Sequence, residues 1–403
     1  MKKFLKLFMS AAMVLTLAAC SNGGQNEPSK VTLKVWASQE DQEITNQMVE
    51  DFKKANPDTE WDITVAVVSE ADAKQKLLED PAAGADVFTF ANDQIRDLVN
   101  AKALAKITRN VDDVKSRNNP ASIDAATLDD QLYAYPMTAD NGYFLYYNKG
   151  VLSDEDVASL DGLLAAANAA GKKVFMDVSN GWYIASFFLG AGGNLGIDEN
   201  GNQTCDFNNA NGLAAAEAIK AFTANPAFIT GADAELNAGF QDGTIIAGVS
   251  GTWNAETMKT NLGDNYAATK LPTFKVGDKE ANMYTFGGYK LMGVNSQSKF
   301  AAQAMDLADW LTNEANQAKR YEVRGYGPSN INAAASDAVK ENVALSALNK
   351  QFEFSASQKD VLGTYWTPAE AFGTTMENKD YSKPLQELLD TMVEQIQTPA
   401  TQN

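Results

Sequence analysis

The strongest constraint lies in residues 31–90, where strand and helix patterns alternate. In Val31–Trp36, Val31, Leu33 and Val35 alternate with Thr32, Lys34 and Trp36, the two-residue period of a strand. Asp41–Asn56 places Ile44, Met48, Val49 and Phe52 at helical spacing, and Pro57 ends it. Trp61–Val68 reads as the next strand, Asp72–Glu79 as a helix and Asp86–Phe90 as a third, buried strand. Strands joined through a helix run parallel, with a right-handed crossover. The fold class expected is therefore α/β, with a doubly wound sheet. Ligands on such sheets lie beyond the carboxyl ends of the strands, which puts Trp36–Glu40 and Phe90–Gln94 on one rim.

Leu132–Lys149 reads as two short strands, Leu132–Pro136 and Tyr143–Asn148, around a break at Met137–Gly142. We take it as the passage from one domain into a second, with Asp140 and Asn141 at the floor of the gap between them. Region 143–285 then repeats the alternation. Helices are expected at Ala158–Ala170, Trp182–Leu189 and Leu213–Thr223, and strands at Lys173–Asp177 and Thr244–Val249. Phe286–Val294 is a further strand-like crossing, Phe300–Thr312 an amphipathic helix, and Lys340–Phe354 and Pro368–Gln397 helical. No stretch between Lys30 and the last few residues has the composition of a linker, so the chain must pass between the domains more than once.

With 403 residues the chain is long enough for two domains. It has no histidine, which excludes His-based triads, His metal ligands and imidazole acid–base chemistry. A net charge of −19 argues against nucleic acid and anionic ligands and suits a neutral or cationic small ligand. Met1–Lys6 is basic and Leu7–Leu17 apolar but too short to span a bilayer, so 1–19 reads as a signal peptide. Leu17-Ala18-Ala19-Cys20 looks like a bacterial lipobox, with Cys20 lipidated as the mature N-terminus. Residues 20–30 then form a flexible tether; Ser21–Ser29 would span roughly 15–18 Å as a coil. The second cysteine, Cys205, has no partner for a disulfide.

Signatures of chemistry are weak. Gly190-Ala191-Gly192-Gly193 lacks the Lys-Ser/Thr of a phosphate loop and reads as a helix end. Asp198–Asn202 falls short of a calcium loop and reads as a hairpin turn at Asn200-Gly201. No metal and no cofactor are expected, nor any catalytic residue. The six tryptophans say more. Trp61 and Trp310 read as core, and Trp36 reads equally as core or site. Trp182, Trp253 and Trp366 stand in turn-like contexts and read as ligand contacts. A ring offers about 150–250 Å² of surface, and covering a third of it is worth about 1–2 kcal/mol. Sugar faces carry C–H groups that suit such rings, while carboxylates and amides suit the hydroxyls at the rim.

These stretches, in order, resemble the maltose/maltodextrin-binding branch of bacterial extracellular solute-binding proteins, the receptors of ABC sugar importers. The resemblance runs over about 31–397. It is carried by Val31–Trp36, Asp86–Gln94, Tyr135–Lys149, Asn180–Gly193, Ala238–Trp253, Leu271–Phe274, Phe286–Asn295 and Tyr365-Trp366. It implies a two-lobed periplasmic-binding-protein-like fold with a three-segment hinge and an interlobe cleft. One lobe would be 31–138 plus 289–338, the other 139–288 plus 339–403. It implies sugar-binding acids at Glu40 and Asp93, an acid on the crossover at Asp140 with Asn141 beside it, and stacking at Phe90, Trp182, Trp253, Tyr365 and Trp366. Trp36 is carried as a candidate with them. Gln94, Asp41 and Asn180 depart from the family's arginine, lysine and glutamate, swaps that keep a carbohydrate site and suit a different neutral oligosaccharide, or a longer or cyclic α-glucan, as well as maltose.

The implied partners are a neutral oligosaccharide, most simply maltodextrin or another α-glucan, and the membrane subunits of an ABC permease. The chain would work as a monomer, lipid-anchored on the outer face of the cell membrane. The acidity keeps open a receptor for a different oligosaccharide or a cationic small ligand. A secreted glycosidase using paired carboxylates is a further alternative, because their spacing is spatial rather than sequential.

Overall fold

The computed structural model describes residues 30–399. The expected signal peptide 1–19, the expected lipidation site Cys20 and the residues up to 29 expected to form the tether lie outside the described residues. Lys30, counted above with the tether, is the first residue of the strand Lys30–Ala37.

Two sheets organise the chain. The first runs in the order Ser355–Ser357, Thr285–Val294, Val87–Ala91, Lys30–Ala37, Glu60–Val67, with Ala134–Asn141 also paired to Thr285–Val294. Lys30–Ala37 is parallel to both Glu60–Val67 and Val87–Ala91, as the strand–helix–strand pattern requires. The second sheet runs Phe228–Ile229, Lys173–Phe175, Ile245–Gly251, Tyr143–Asn148, Tyr266–Thr269. Its first three strands are parallel, and Tyr143–Asn148 runs antiparallel to both of its neighbours.

Each sheet has its own core. Val31, Leu33, Phe52, Phe88, Phe90, Tyr135, Leu291 and Leu307 belong to one buried cluster. Tyr143, Phe187, Phe188, Phe286, Tyr365 and Phe372 belong to another. A smaller cluster, with Phe144, Tyr146, Leu236, Leu345 and Leu348, covers the other face of the second sheet. The chain therefore changes cores at Gly142, again between Phe286 and Leu291 inside one strand, and again between Leu311 and Ala344.

The stretch expected to break at Met137–Gly142 does not. Ala134–Asn141 is one continuous strand and only Gly142 interrupts it before Tyr143. The reason is a partner about 150 residues away. Thr285–Val294 pairs antiparallel with it from Gly293↔Ala134 to Gly288↔Asn141, with irregular register near Lys290. Local turn chemistry at Asp140-Asn141-Gly142 yields to that ladder. Side-chain burial at Gly142 explains the glycine: a Cβ there would lie 2.8 Å from Leu348 and 2.9 Å from Phe352. The Asn200-Gly201 turn is a hairpin as expected. Gly201 has φ +82°, and the Asp198 carboxylate accepts from the backbone N–H groups of Asn200 and Asn202.

Candidate functional site

Three strands end in the same way. Lys30–Ala37, Val87–Ala91 and Ile245–Gly251 are each followed, directly or after one residue, by a single 3-10 turn and then a helix. The turns are Gln39–Asp41, Asn92–Gln94 and Thr252–Asn254. They carry Glu40 and Asp41, Asp93 and Gln94, and Thr252 and Trp253. These are the carboxyl ends at which a doubly wound sheet receives its ligand.

The three indoles read as ligand contacts are half-buried and pack against one core, that of the second sheet. Trp182 opens the helix Gly181–Gly190. Asn180 caps that helix by accepting from the Trp182 backbone N–H at 2.9 Å. The residue that departs from the family pattern at 180 thus sets the entry of the helix that presents Trp182. Tyr143 sits edge-on to the Trp182 ring at 4.6 Å and donates its hydroxyl to the Trp182 carbonyl at 2.7 Å. The rings of Trp182 and Trp253 lie 5.9 Å apart at 36°. Trp253 folds back over Gly251, where a Cβ would meet its ring at 1.9 Å, so only glycine leaves it that position. Its Nε1 donates to Asp233 at 2.8 Å. Trp366 is edge-on to Phe286 and Tyr365, and its Cε3 lies 3.6 Å from where a Cβ on Gly181 would stand.

Three aromatic candidates belong to the interior instead. Phe90 is 0% exposed and packs against Phe88 at 5.5 Å, since every residue of its strand from Val87 to Phe90 faces a covered side of the sheet. Trp36 lies in the same core, edge-on to Phe88. Tyr365 is 0% exposed, and its hydroxyl donates to the Gly181 carbonyl at 2.8 Å. It supports the Trp182 helix from behind. Trp61 and Trp310 flank Phe52 as core residues, with their indole N–H groups on backbone carbonyls.

The first sheet contributes carboxylates. Glu40 is exposed on its turn. Asp93 is 9% exposed and accepts from Gln358 Nε2 at 2.9 Å. Burial raises its pKa to about 7, against the pull of Lys74 and of its own hydrogen bonds. Asp140 is 1% exposed, and its Oδ2 accepts from Thr252 Oγ1 at 2.9 Å and from the Gly327 N–H at 2.7 Å. Burial raises its pKa too, opposed by Lys290. It ties the crossing strand to a turn of the second sheet and to the segment after Arg324. Asn141 is buried beside it, paired with Gly288.

Charged groups whose pairing the sequence does not show lie under this rim. Asp41 meets Arg320 at 3.3 Å and Arg324 at 3.4 Å, all well covered. Lys290 meets Glu70 at 3.4 Å and lies over the Tyr326 ring at 4.7 Å. Burial opposes the Lys290 charge, yet Glu70, Tyr326 and Asp140 hold its pKa above the ordinary lysine range. Gln94 is spent on the protein: its amide donates to the Glu70 and Ala71 carbonyls and accepts from the Lys74 N–H. These partners stand 20 to 283 residues apart, and nothing in their local sequence announces the pairing.

Gln358, also missed, joins the two sides. It is 4% exposed. Trp182 Nε1 donates to its Oε1 at 3.0 Å while its Nε2 donates to Asp93. An indole from one core and a carboxylate from the other therefore share one amide.

Comparison with known proteins gives a consistent answer. The sequence profile of the bacterial extracellular solute-binding proteins matches residues 47–347. A galactooligosaccharide-binding protein of Bacillus subtilis (strain 168) is 29% identical over 394 residues, 92% of this chain and 91% of that one. A structure solved with acarbose is 32% identical, with a TM-score of 0.83 over 91% of this chain and 99% of that one. A maltodextrin-binding protein from L. casei BL23, solved without ligand, is 26% identical, with a TM-score of 0.77 over 92% and 100%. These matches span both sheets and all three chain crossings, and on them the chain belongs to the bacterial extracellular solute-binding proteins.

Proposed function

We propose that this protein captures a neutral oligosaccharide between its two lobes and delivers it to an ABC permease in the membrane. One lobe comprises 31–138 with 289–338 and the other 139–288 with 339–403. Cys20 carries lipid that anchors the chain, as a monomer, on the outer face of the membrane. The observation that carries the reading is the pairing of Trp182 and Trp253, held with their rings half-open, with Asp93 joined to Trp182 through Gln358. Trp182, Trp253 and Trp366 supply stacking surface for sugar faces. Asp93 and Glu40 accept from hydroxyls, and Asp140 and Asn141 support the floor. Phe90, Trp36 and Tyr365 act as packing behind these contacts.

Solute binding needs no bond to be broken, so the glycosidase alternative falls away with membership of a binding family. A cationic ligand is less well matched, because the carboxylates around the indoles are already engaged, Asp233 by Trp253 Nε1, Asp93 by Gln358, and Asp140 by Thr252 and the Gly327 N–H. Maltodextrin, galactooligosaccharide and acarbose, the ligands named for similar proteins, share ring faces and hydroxyl rims. Thermal unfolding of the purified protein with maltotriose, a galactotriose and spermidine tests the reading. A rise with either sugar and none with spermidine is expected. A rise with spermidine alone would overturn it.

A further inference from the structure

The strand Ser355–Ser357 and the turn Gln358–Asp360 form a strap whose three turn residues each hold the opposite side. Gln358 donates to Asp93. Lys359 Nζ reaches the Asp124 carbonyl at 2.9 Å and its carboxylate at 3.2 Å. Asp360 accepts from Arg96 at 3.1 Å. The strap is tied to its own side by Gln203, which donates to the Asp360 carbonyl and accepts from the Leu362 N–H. Room for the Gln358 amide comes from Gly288. A Cβ there would stand 3.0 Å from Gln358 Oε1, 3.0 Å from Asn141 Nδ2 and 2.9 Å from Asn92 Oδ1.

The chemistry of this amide matches that of a sugar hydroxyl. A hydroxyl seated between Asp93 and Trp182 would donate to the carboxylate and accept from the indole N–H. Gln358 already does both, at 2.9 and 3.0 Å. The two groups cannot occupy that position together. We propose that Gln358 is a built-in occupant of a hydroxyl subsite, which a ligand hydroxyl must displace to reach Asp93 and Trp182. This rests on the reading of Asp93 and Trp182 as ligand contacts. A ligand lacking the hydroxyl leaves a buried acceptor and donor unmatched once Gln358 is displaced, so the subsite selects hydroxylated ligands.

Titration calorimetry with maltotriose and with a galactotriose tests it on the full chain, wild type against Gln358→Ala and the near-isosteric Gln358→Met. Both variants are expected to bind the sugar that wild type binds about threefold to tenfold more tightly, the worth of one net hydrogen bond. In a Trp182→Phe background, where the indole donor is gone, that gain is expected to shrink. Weaker or unchanged binding by folded Gln358→Ala and Gln358→Met would overturn the proposal and make Gln358 a direct ligand contact or a bystander. If wild type binds neither sugar, or if Asp93→Ala and Trp182→Ala bind as wild type does, the site reading itself fails and the proposal with it. Those outcomes are visible without the Gln358 variants.

Discussion

The lobe that carries Trp182, Trp253 and Trp366 presents rings, and the lobe that carries Asp41, Glu70 and Asp93 presents charge. The two are held in place by different means. The entry of the Trp182 helix and the lie of the Trp253 ring are set locally, by the Asn180 cap and by glycine at 251, and the Gly181 and Trp182 carbonyls are then backed by the hydroxyls of Tyr365 and Tyr143 from further along the chain. The charges are set by partners far along the chain, Arg320 and Arg324 on Asp41 and Lys290 on Glu70. A ring needs only shape around it, whereas a buried carboxylate needs a counter-charge or a donor, wherever in the chain that comes from.

The contrast between the two lobes rests most heavily on Arg320. Replacing it by alanine leaves Asp41 buried with Arg324 alone. Chemical denaturation is expected to show a loss of about 3–5 kcal/mol. A loss below about 1 kcal/mol would mean that the charged lobe is as locally held as the aromatic one. Asp93 comes next. Its folded pKa, about 7, lies above its unfolded value. The folded state therefore binds more protons between about pH 4 and pH 7, and the stability linked to this group is present below that window and lost as pH rises through it. Asp93→Asn removes the titration. It is expected to be more stable than wild type at pH 8, by a few kcal/mol for a shift of that order, and to match it near pH 4. Parallel pH profiles for the two proteins would refute this.

On the aromatic side, Trp182→Ala is expected to weaken sugar binding at least tenfold, about 1.4 kcal/mol, and leave the protein folded. Phe90→Leu is expected to do the reverse, lowering the melting temperature at constant affinity. Matching effects on affinity from both would put Phe90 back in the site. The smallest effect belongs to the strap's outer tie. Arg96→Ala breaks a partly exposed pair with Asp360, and the change in unfolding free energy is expected to stay below about 1 kcal/mol and to fade with added salt.

Much of the architecture was legible along the chain. Alternating Val31, Leu33 and Val35, the helical stripe of Ile44, Met48, Val49 and Phe52, and the stop at Pro57 each report a local periodicity, and the observed strand and helix fall within a residue of those patterns. The turn contexts of Trp182, Trp253 and Trp366 were equally local, and all three indoles stay half-open against one core. Sequence reading went astray where a remote partner overrode the neighbourhood. It expected a break at Met137–Gly142, which the ladder to Thr285–Val294 extends into a strand. It put Phe90 and Trp36 on the rim from their positions at strand ends, with Trp36 equally open to the core, and took Tyr365 as a stacking residue from the resemblance. A residue's side of the sheet depends on which layers cover it, and that is known only once the chain has packed.

Gln358 marks the boundary most clearly. In Ser357-Gln358-Lys359 it is an unremarked polar residue of a short turn. It gains meaning only because strand pairing at Thr285–Gly287 brings that turn between an indole and a carboxylate that lie 89 residues apart in the chain. Periodicity and composition report what a segment prefers by itself. Hydrogen-bond partners between segments follow from topology, which no short window of residues contains.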